Sequence, residues 1–406
     1  MTKRKIAVFT GNRAEYGLQF PILKAIDAHP DLDYRLIVSG AHLDANFGRT
    51  LAEIENDGFT VHAEVKINLD ADTLDATAQA IGTGVVSMGH ALTRIRPDLL
   101  VVYADRFEGF AAIIAGTQMN VPTAHVEGGD LTHGGALDDS VRHAMTKLAH
   151  LHFTTNLQAT NRVLAMGEEP WRVHTVGFPA IDLIRDGNFA SPDELRTRLA
   201  LNPVRPIVLF TQHSVTTEFD QAAEQTAPSL DALERVAGEG VQVIATYPNN
   251  DAGGRRIIAA LEALAEHGVP NIQVHRSLGR WLYHGILALA RDPRAHIACV
   301  GNSSSGIKET PAFGCPTVNI GSRQNGRLRA DNVIDAPYDS AAITAAMQRC
   351  LFDDAFRAAC RSVENPYGVG HAGRKIAHVL SEVPLDAVLL RKGMTLRGET
   401  REGWFR

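Results

Sequence analysis

The sequence predicts an α/β protein of two doubly wound, Rossmann-like domains. Three observations predict it. The chain of 406 residues is long for one core, short apolar runs alternate with helical repeats from end to end, and the alternation halts once near the middle before restarting. Fully apolar strands separated by helices imply parallel sheets with right-handed crossovers, covered on both faces.

Residues 3–10 read as a strand that breaks at Gly11, and Leu18, Ile22, Leu23 and Ile26 recur at helical spacing through 16–29. A strand at 34–39, a helix at 46–55, a strand at 61–65, an Ala-rich helix at 74–93 and a strand at 99–104 follow, with Pro97 and Pro122 marking entry to two strands. A helix at 139–149 and strands at 152–155 and 173–176 complete the first half. After Asp182, polar residues and prolines cluster in DGNFASPDELRTRLALNPVRP, which reads as loose chain at a domain boundary. The second half has strands at 207–210, 242–245, 272–274, 296–300 and 317–320. Its helices start near Asp220, follow Gly254, cover 281–290, and run over 307–313 after a polar turn from Gly301 to Gly306. Domains are therefore expected at 1–180 and 181–369, with a helix near 374–383 crossing back onto the first and a polar, basic tail at 386–406. Two such units would place a cleft at the carboxyl ends of both sheets.

Composition excludes several classes of function. The 40 Lys and Arg face 46 Asp and Glu, for a formal net charge of -6, so there is no global attraction for nucleic acid. The apolar run in MTKRKIAVFTGNR is too short for a signal peptide, and no run approaches the roughly 20 apolar residues of a membrane span. Cys299, Cys315, Cys350 and Cys360 form no CxxC pair, which suits structural thiols in a reducing cytoplasm; no metal site and no cofactor are expected.

One stretch gathers the chemistry, VYADRFEGFAAIIAGTQMNVPTAHVEGGDLTHGGALDDSVRH, from Val102 to His143. One apolar run ends in Asp105-Arg106, a second in Glu127-Gly128-Gly129, and a glycine loop leads to Asp138-Asp139. A single aspartate at a strand end is usually a cap or a turn, but three acidic stations at successive strand ends make a candidate acid/base face. Arg13, in TGNRAEYG, lies in a loop before a helix, where free amides and a guanidinium suit a diphosphate; the absence of GxGxxG weakens a nicotinamide reading. GNSSSGIKE is the matching feature of the second half: Ser303 or Ser304 would approach phosphate oxygens, and Glu309 would accept ribose hydroxyls. Arg323 and Arg327, between the glycines of GSRQNGR, suit an oxyanion clamp. His213, after PIVLFTQ, and Asn249, in TYPNND, end strands of the same sheet.

NRAEYG, DRFE after an apolar strand, HVEGGD with DDSVRHAMTKLAH downstream, GFPAID, GNSSSGIKE and GSRQNGR, in that order, resemble the hydrolysing UDP-N-acetylglucosamine 2-epimerases, which start sialic and related nonulosonic acid biosynthesis. The resemblance runs from about Lys5 to His371. It implies two Rossmann-like domains of the glycosyltransferase B type and a redox-neutral reaction without a cofactor. A C2 proton is removed as the nucleoside diphosphate leaves C1; the glycal then adds water to give UDP and free N-acetylmannosamine. It further implies acid/base roles for Asp105, Glu127 and Asp138 or Asp139, with His213 near the diphosphate. Arg13, Arg106, Ser303, Ser304 and Arg323 would hold phosphates, Glu309 the ribose, and His42 of SGAHLD would meet the sugar. A homo-oligomer is implied too. The chain departs from the family pattern at Gly17 and Leu18, where relatives often carry Ser or Lys, so UDP-2,4-diacetamido-trideoxyhexose and GDP-N-acetylglucosamine stay open as substrates. A non-hydrolysing epimerase, a transferase of the same fold and an inactive nucleotide-sugar binding protein are the rival readings.

Overall fold

Apolar runs become parallel strands in both halves of the chain. The computed structural model describes residues 3–43, 51–67, 74–132, 136–249 and 253–395. The chain divides into two compact units, Met1–Asp130 with Leu137–Asp182 and Gly370–Arg406, and Leu131–Ala136 with Leu183–Val369.

The first unit holds β1 (Arg4–Thr10), β2 (Leu32–Ser39), β3 (Val61–Val65), β4 (Leu99–Tyr103), β5 (Thr123–Val126), β6 (Leu151–Thr154) and β7 (Val173–Thr175), in the order β3-β2-β1-β4-β5-β6-β7. Its central strands are buried on both faces: Ile6 and Val8 of β1 pack into one apolar cluster, Ala7 and Phe9 into another. That is why their sequences run apolar rather than alternate. The order reverses between β1 and β4, so the loops leaving these strands diverge at their carboxyl ends. Helix Ala372–Glu382 returns to this unit against helix Arg13–Asp27. Asp182 accepts from Ala372 N and Gly373 N at 2.9 Å each, and a Cβ at position 373 would lie 2.4 Å from the Pro21 carbonyl oxygen.

The second unit repeats the plan with β8 (Ile207–Thr211), β9 (Gln242–Thr246), β10 (Ile272–His275), β11 (Ile297–Gly301), β12 (Thr317–Ile320) and β13 (Val333–Ala336), ordered β10-β9-β8-β11-β12-β13. Val208 and Phe210 enter one cluster, Ile207 and Leu209 the other.

Local chemistry accounts for the departures from expectation. The stretch read as loose chain contains helix Pro192–Leu199, started by a capping box between Ser191 and Glu194 with Pro192 in its first turn. Helix Leu157–Ala165 and edge strand β13 were not expected, and the helix expected at 307–313 is two pieces, Ser305–Lys308 and Thr310–Phe313. Pro311 lacks the N–H that would continue the first into the second. Of the helix expected at 46–55, Leu51–Asn56 is described and the start lies outside the described residues. No helix among the described residues is long and apolar enough to cross a membrane.

Gly301 closes β11 at φ 125, and a Cβ there would stand 2.0 Å from the Thr211 carbonyl oxygen on β8. Gly301→Ala is therefore expected to cost more than about 4 kcal/mol, among the largest single-residue effects. The denaturant midpoint measures it; a change below about 1 kcal/mol would contradict the close approach.

Candidate functional site

At the carboxyl ends of β1 and β2, Thr10 Oγ1 lies 3.1 Å from His42 Nε2. His42 is fully buried, edge-on to Tyr16 at 6.2 Å, and burial pushes its imidazole down to about 4, so it is neutral at pH 7. Asn12 caps helix Arg13–Asp27 by accepting from Glu15 N at 3.0 Å, which sets Arg13 in the first turn. The side chain of Arg13 lies outside the described residues.

The next two strand ends carry the acids. Ala104 and Glu127, which leave β4 and β5, both have left-handed backbones, φ 56 and φ 70. Asp105 pairs with the guanidinium of Arg142, which also donates to Asp139 Oδ1 at 2.6 Å and to the Asp130 carbonyl at 2.9 Å. Arg142 is 2% exposed in its side chain, against 19% for Asp105 and 17% for Asp139, so one buried fork holds two partly open carboxylates. Asp138 falls in helix Ala136–Leu148, but its side chain is outside the described residues. Glu127 is 6% exposed; burial and then its charge push the Tyr103 hydroxyl well above the ordinary value. The two glycines after Glu127 are steric necessities. A Cβ at Gly129 would lie 2.3 Å from the Ala159 carbonyl oxygen, and one at Gly128 would lie 2.8 Å from Thr146 Oγ1. Half-exposed Arg106 stands 3.5 Å from buried Glu108.

In the second unit, Asn302 organises the strand ends. It accepts from His213 N at 2.6 Å and donates to His213 O at 2.8 Å, while its carbonyl receives Arg323 at 3.3 Å and Gln324 at 2.8 Å. Asn249 N donates to His213 Nδ1 at 3.0 Å. Burial, then the Arg323 guanidinium, push the His213 imidazole down to about 3. It is therefore neutral, with its proton on Nε2, a donor suited to an anionic oxygen. Ser303 and Ser304 are partly exposed in the turn after β11. Glu309 is turned inward: its Oε2 binds Ser305 Oγ at 2.6 Å and His284 Nε2 at 3.0 Å. Burial opposes its charge, but these two partners hold the carboxyl below its ordinary value. Arg327 donates to the Leu131 carbonyl at 2.9 Å and to Thr132 Oγ1 at 2.8 Å, in the chain after HVEGGD, and to Gln324 Oε1 at 2.8 Å.

The structure thus joins Asp105 and Asp139 through Arg142, sets Glu127 on the neighbouring strand end, and links His213, Asn249 and Arg323 through Asn302. Sequence reasoning missed Arg142, although the DDSVR spacing places it three residues after Asp139 on one helix face. It missed Glu15 as well, which burial and then the Glu108 charge raise to about 8, leaving it protonated at neutral pH. Gly11 N and Gln19 Nε2 donate to that carboxyl at 3.3 and 2.8 Å. Among the described residues no group of three or more His, Cys, Asp or Glu is arranged to hold a metal ion.

Comparison with known proteins adds to this geometry. A family profile described as UDP-N-acetylglucosamine 2-epimerase matches residues 24–381. The chain is 32% identical to UDP-N,N'-diacetylbacillosamine 2-epimerase (hydrolyzing) of Legionella pneumophila, over 96% of this chain and 98% of that one. It is 31% identical to a UDP-N-acetylglucosamine 2-epimerase of Neisseria meningitidis serogroup B, over 85% and 87%. The crystal structure of a UDP-GlcNAc 2-epimerase from Neisseria meningitidis bound to UDP-GlcNAc superposes with a TM-score of 0.77 at 16% identity, covering 93% of this chain and 99% of that one. This likeness is one of fold: two Rossmann-like domains of the glycosyltransferase B type.

Proposed function

We propose that this chain, which belongs to the UDP-N-acetylglucosamine 2-epimerase family, is a hydrolysing 2-epimerase that turns a UDP-2-acetamido sugar and water into UDP and the free 2-epimeric sugar. The observation that carries the reading is the buried Arg142 fork holding Asp105 and Asp139 beside Glu127. The near full-length likeness to a hydrolysing relative supports it.

A carbon-bound proton at C2 is weakly acidic, so a carboxylate must take it while the leaving diphosphate is stabilised. The C2–H electron pair becomes the C1=C2 bond, and the C1–O bond breaks to release UDP. Water then adds at C1 while a proton arrives at C2 from the opposite face. Asp105, Glu127 and Asp138 or Asp139 supply these acid and base steps. Neutral His213, with Nε2–H, together with Arg13, Arg106, Ser303, Ser304 and Arg323, meets the diphosphate; Asn249 holds His213, Glu309 offers the ribose the Oε1 that Ser305 and His284 leave, and His42 meets the sugar. Electrons balance without an oxidant or reductant, so the reaction requires no redox cofactor.

The sugar has two candidates. UDP-N-acetylglucosamine is the simplest, with N-acetylmannosamine as product. The 2,4-diacetamido-trideoxyhexose is favoured by the name of the Legionella relative. Incubation of each UDP sugar in heavy water is expected to release UDP and a free 2-epimer carrying one deuterium at C2, read by mass spectrometry and proton NMR. A product that keeps its nucleotide would mean a non-hydrolysing epimerase. No turnover of any UDP or GDP sugar would overturn the reading.

A further inference from the structure

Residues 386–395, the described part of the polar, basic tail, are bound into the first unit by hydrogen bonds. Arg172, fully buried, donates to the carbonyls of Leu389 and Val388 at 2.8 Å each and of Arg391 at 3.1 Å. Thr395 N donates to the Gly167 carbonyl at 2.8 Å. Between these ties, Lys392 Nζ stands 3.0, 2.7 and 2.6 Å from the carbonyl oxygens of Thr146, Lys147 and Ala149. It also lies 2.8 Å from the buried Glu168 carboxylate, which Lys147 and His152 hold from other sides.

Thr146 and Lys147 belong to the last turn of helix Ala136–Leu148, where carbonyls find no partner within the helix and the dipole's negative end collects. Lys392 supplies both missing donors and the matching charge. The same helix carries Asp139 and Arg142 toward its other end. Thr146 Oγ1 donates to the Arg142 carbonyl at 3.0 Å and touches His125 Nδ1 at 3.1 Å; His125 Nε2 donates to the carbonyl of Ala104, the residue before Asp105, at 2.6 Å. One turn of helix therefore separates the ammonium from the fork that grips Asp105 and Asp139.

We infer that Lys392 is a positioning residue for the reaction: the tail fixes the helix end, and thereby the seat of Arg142 against Asp105. This rests on the functional reading above, because it assigns the tail a part in turnover. A tail that merely covers apolar surface would not need three carbonyl contacts from one cation.

The test compares Lys392→Met, Lys392→Gln and Lys392→Arg in the full chain. In the Met and Gln variants kcat is expected to fall about tenfold with KM within about twofold, while Arg, which keeps the charge and the donors, restores kcat to within about twofold. Amide hydrogen exchange over 143–149 should be at least about tenfold faster in Met and Gln than in the parent protein. Unchanged exchange overturns the inference. So does faster exchange with unchanged kcat, or a rise in KM alone. Should Lys392→Met fail to fold, the milder Gln variant decides. If the parent protein turns over no nucleotide sugar, the functional reading fails, while the exchange measurement still reports on the tail's hold on the helix.

Discussion

Glu127→Gln is expected to lower turnover by about 10²–10⁴, the usual worth of a positioned acid or base, while UDP affinity stays within about twofold. The substitution keeps size and shape at a residue only 6% exposed, so the fold should persist. What it removes is the capacity to exchange a proton. Glu127 is also where the backbone is strained, since it holds φ 70, a left-handed conformation that costs a non-glycine residue on the order of 1–2 kcal/mol. Two glycines follow because the Ala159 carbonyl and Thr146 leave no room for a Cβ. A strained turn around a buried carboxylate is the kind of feature that clusters at active sites, and it motivates this test. Steady-state kinetics and calorimetry with UDP measure the two effects separately. A variant retaining more than a tenth of the parent's turnover would remove Glu127 from the chemistry.

The fold could be read because parallel strands covered on both faces write themselves as unbroken apolar runs: LLVVY, Leu99 to Tyr103, is buried throughout and ends where the loop to Asp105 begins. Elements that differed were those where polar local chemistry outweighs periodicity. Pro192 and the acids of SPDEL resemble a linker until Ser191 and Glu194 are recognised as a capping box. The edge strand VIDA is only half covered, and Asp335 interrupts its apolar residues, so the run is too short to announce a strand. In the site, acids at strand ends were visible because strand ends are where α/β proteins place function. Arg142 was hidden because a helix interior reads as surface, and its burial depends on Asp105, 37 residues earlier. Glu309 shows the opposite case: a carboxylate that looks available in GNSSSGIKE has its Oε2 held by His284 from a helix whose sequence gives no hint of it. The tautomer of His213 likewise depends on Asn249, whose backbone N–H reaches Nδ1 from a different loop, while Asn302 holds the backbone of His213.

Arg142→Met should then be the change most damaging to turnover that leaves every acid in place. Methionine fills much of the same volume, so the loss is electrostatic rather than a cavity. It leaves Asp105 and Asp139, only 19% and 17% exposed, without the cation that faces both, and it strips the Asp130 carbonyl of its 2.9 Å donor. Removing one partner of a buried ion pair costs about 3–5 kcal/mol, and the residual exposure of the two carboxylates puts the expected loss near the lower end, roughly 3 kcal/mol. Turnover should fall by at least about 10², because Asp105 would no longer be held in one orientation at the end of β4. Arg142→Lys separates the two effects: it restores charge but not the two-pronged grip, so stability should recover more than turnover. The unfolding midpoint and kcat of the two variants check this. Equal recovery of both in the Lys variant would mean that charge alone, and not the fork geometry, is what Asp105 and Asp139 require.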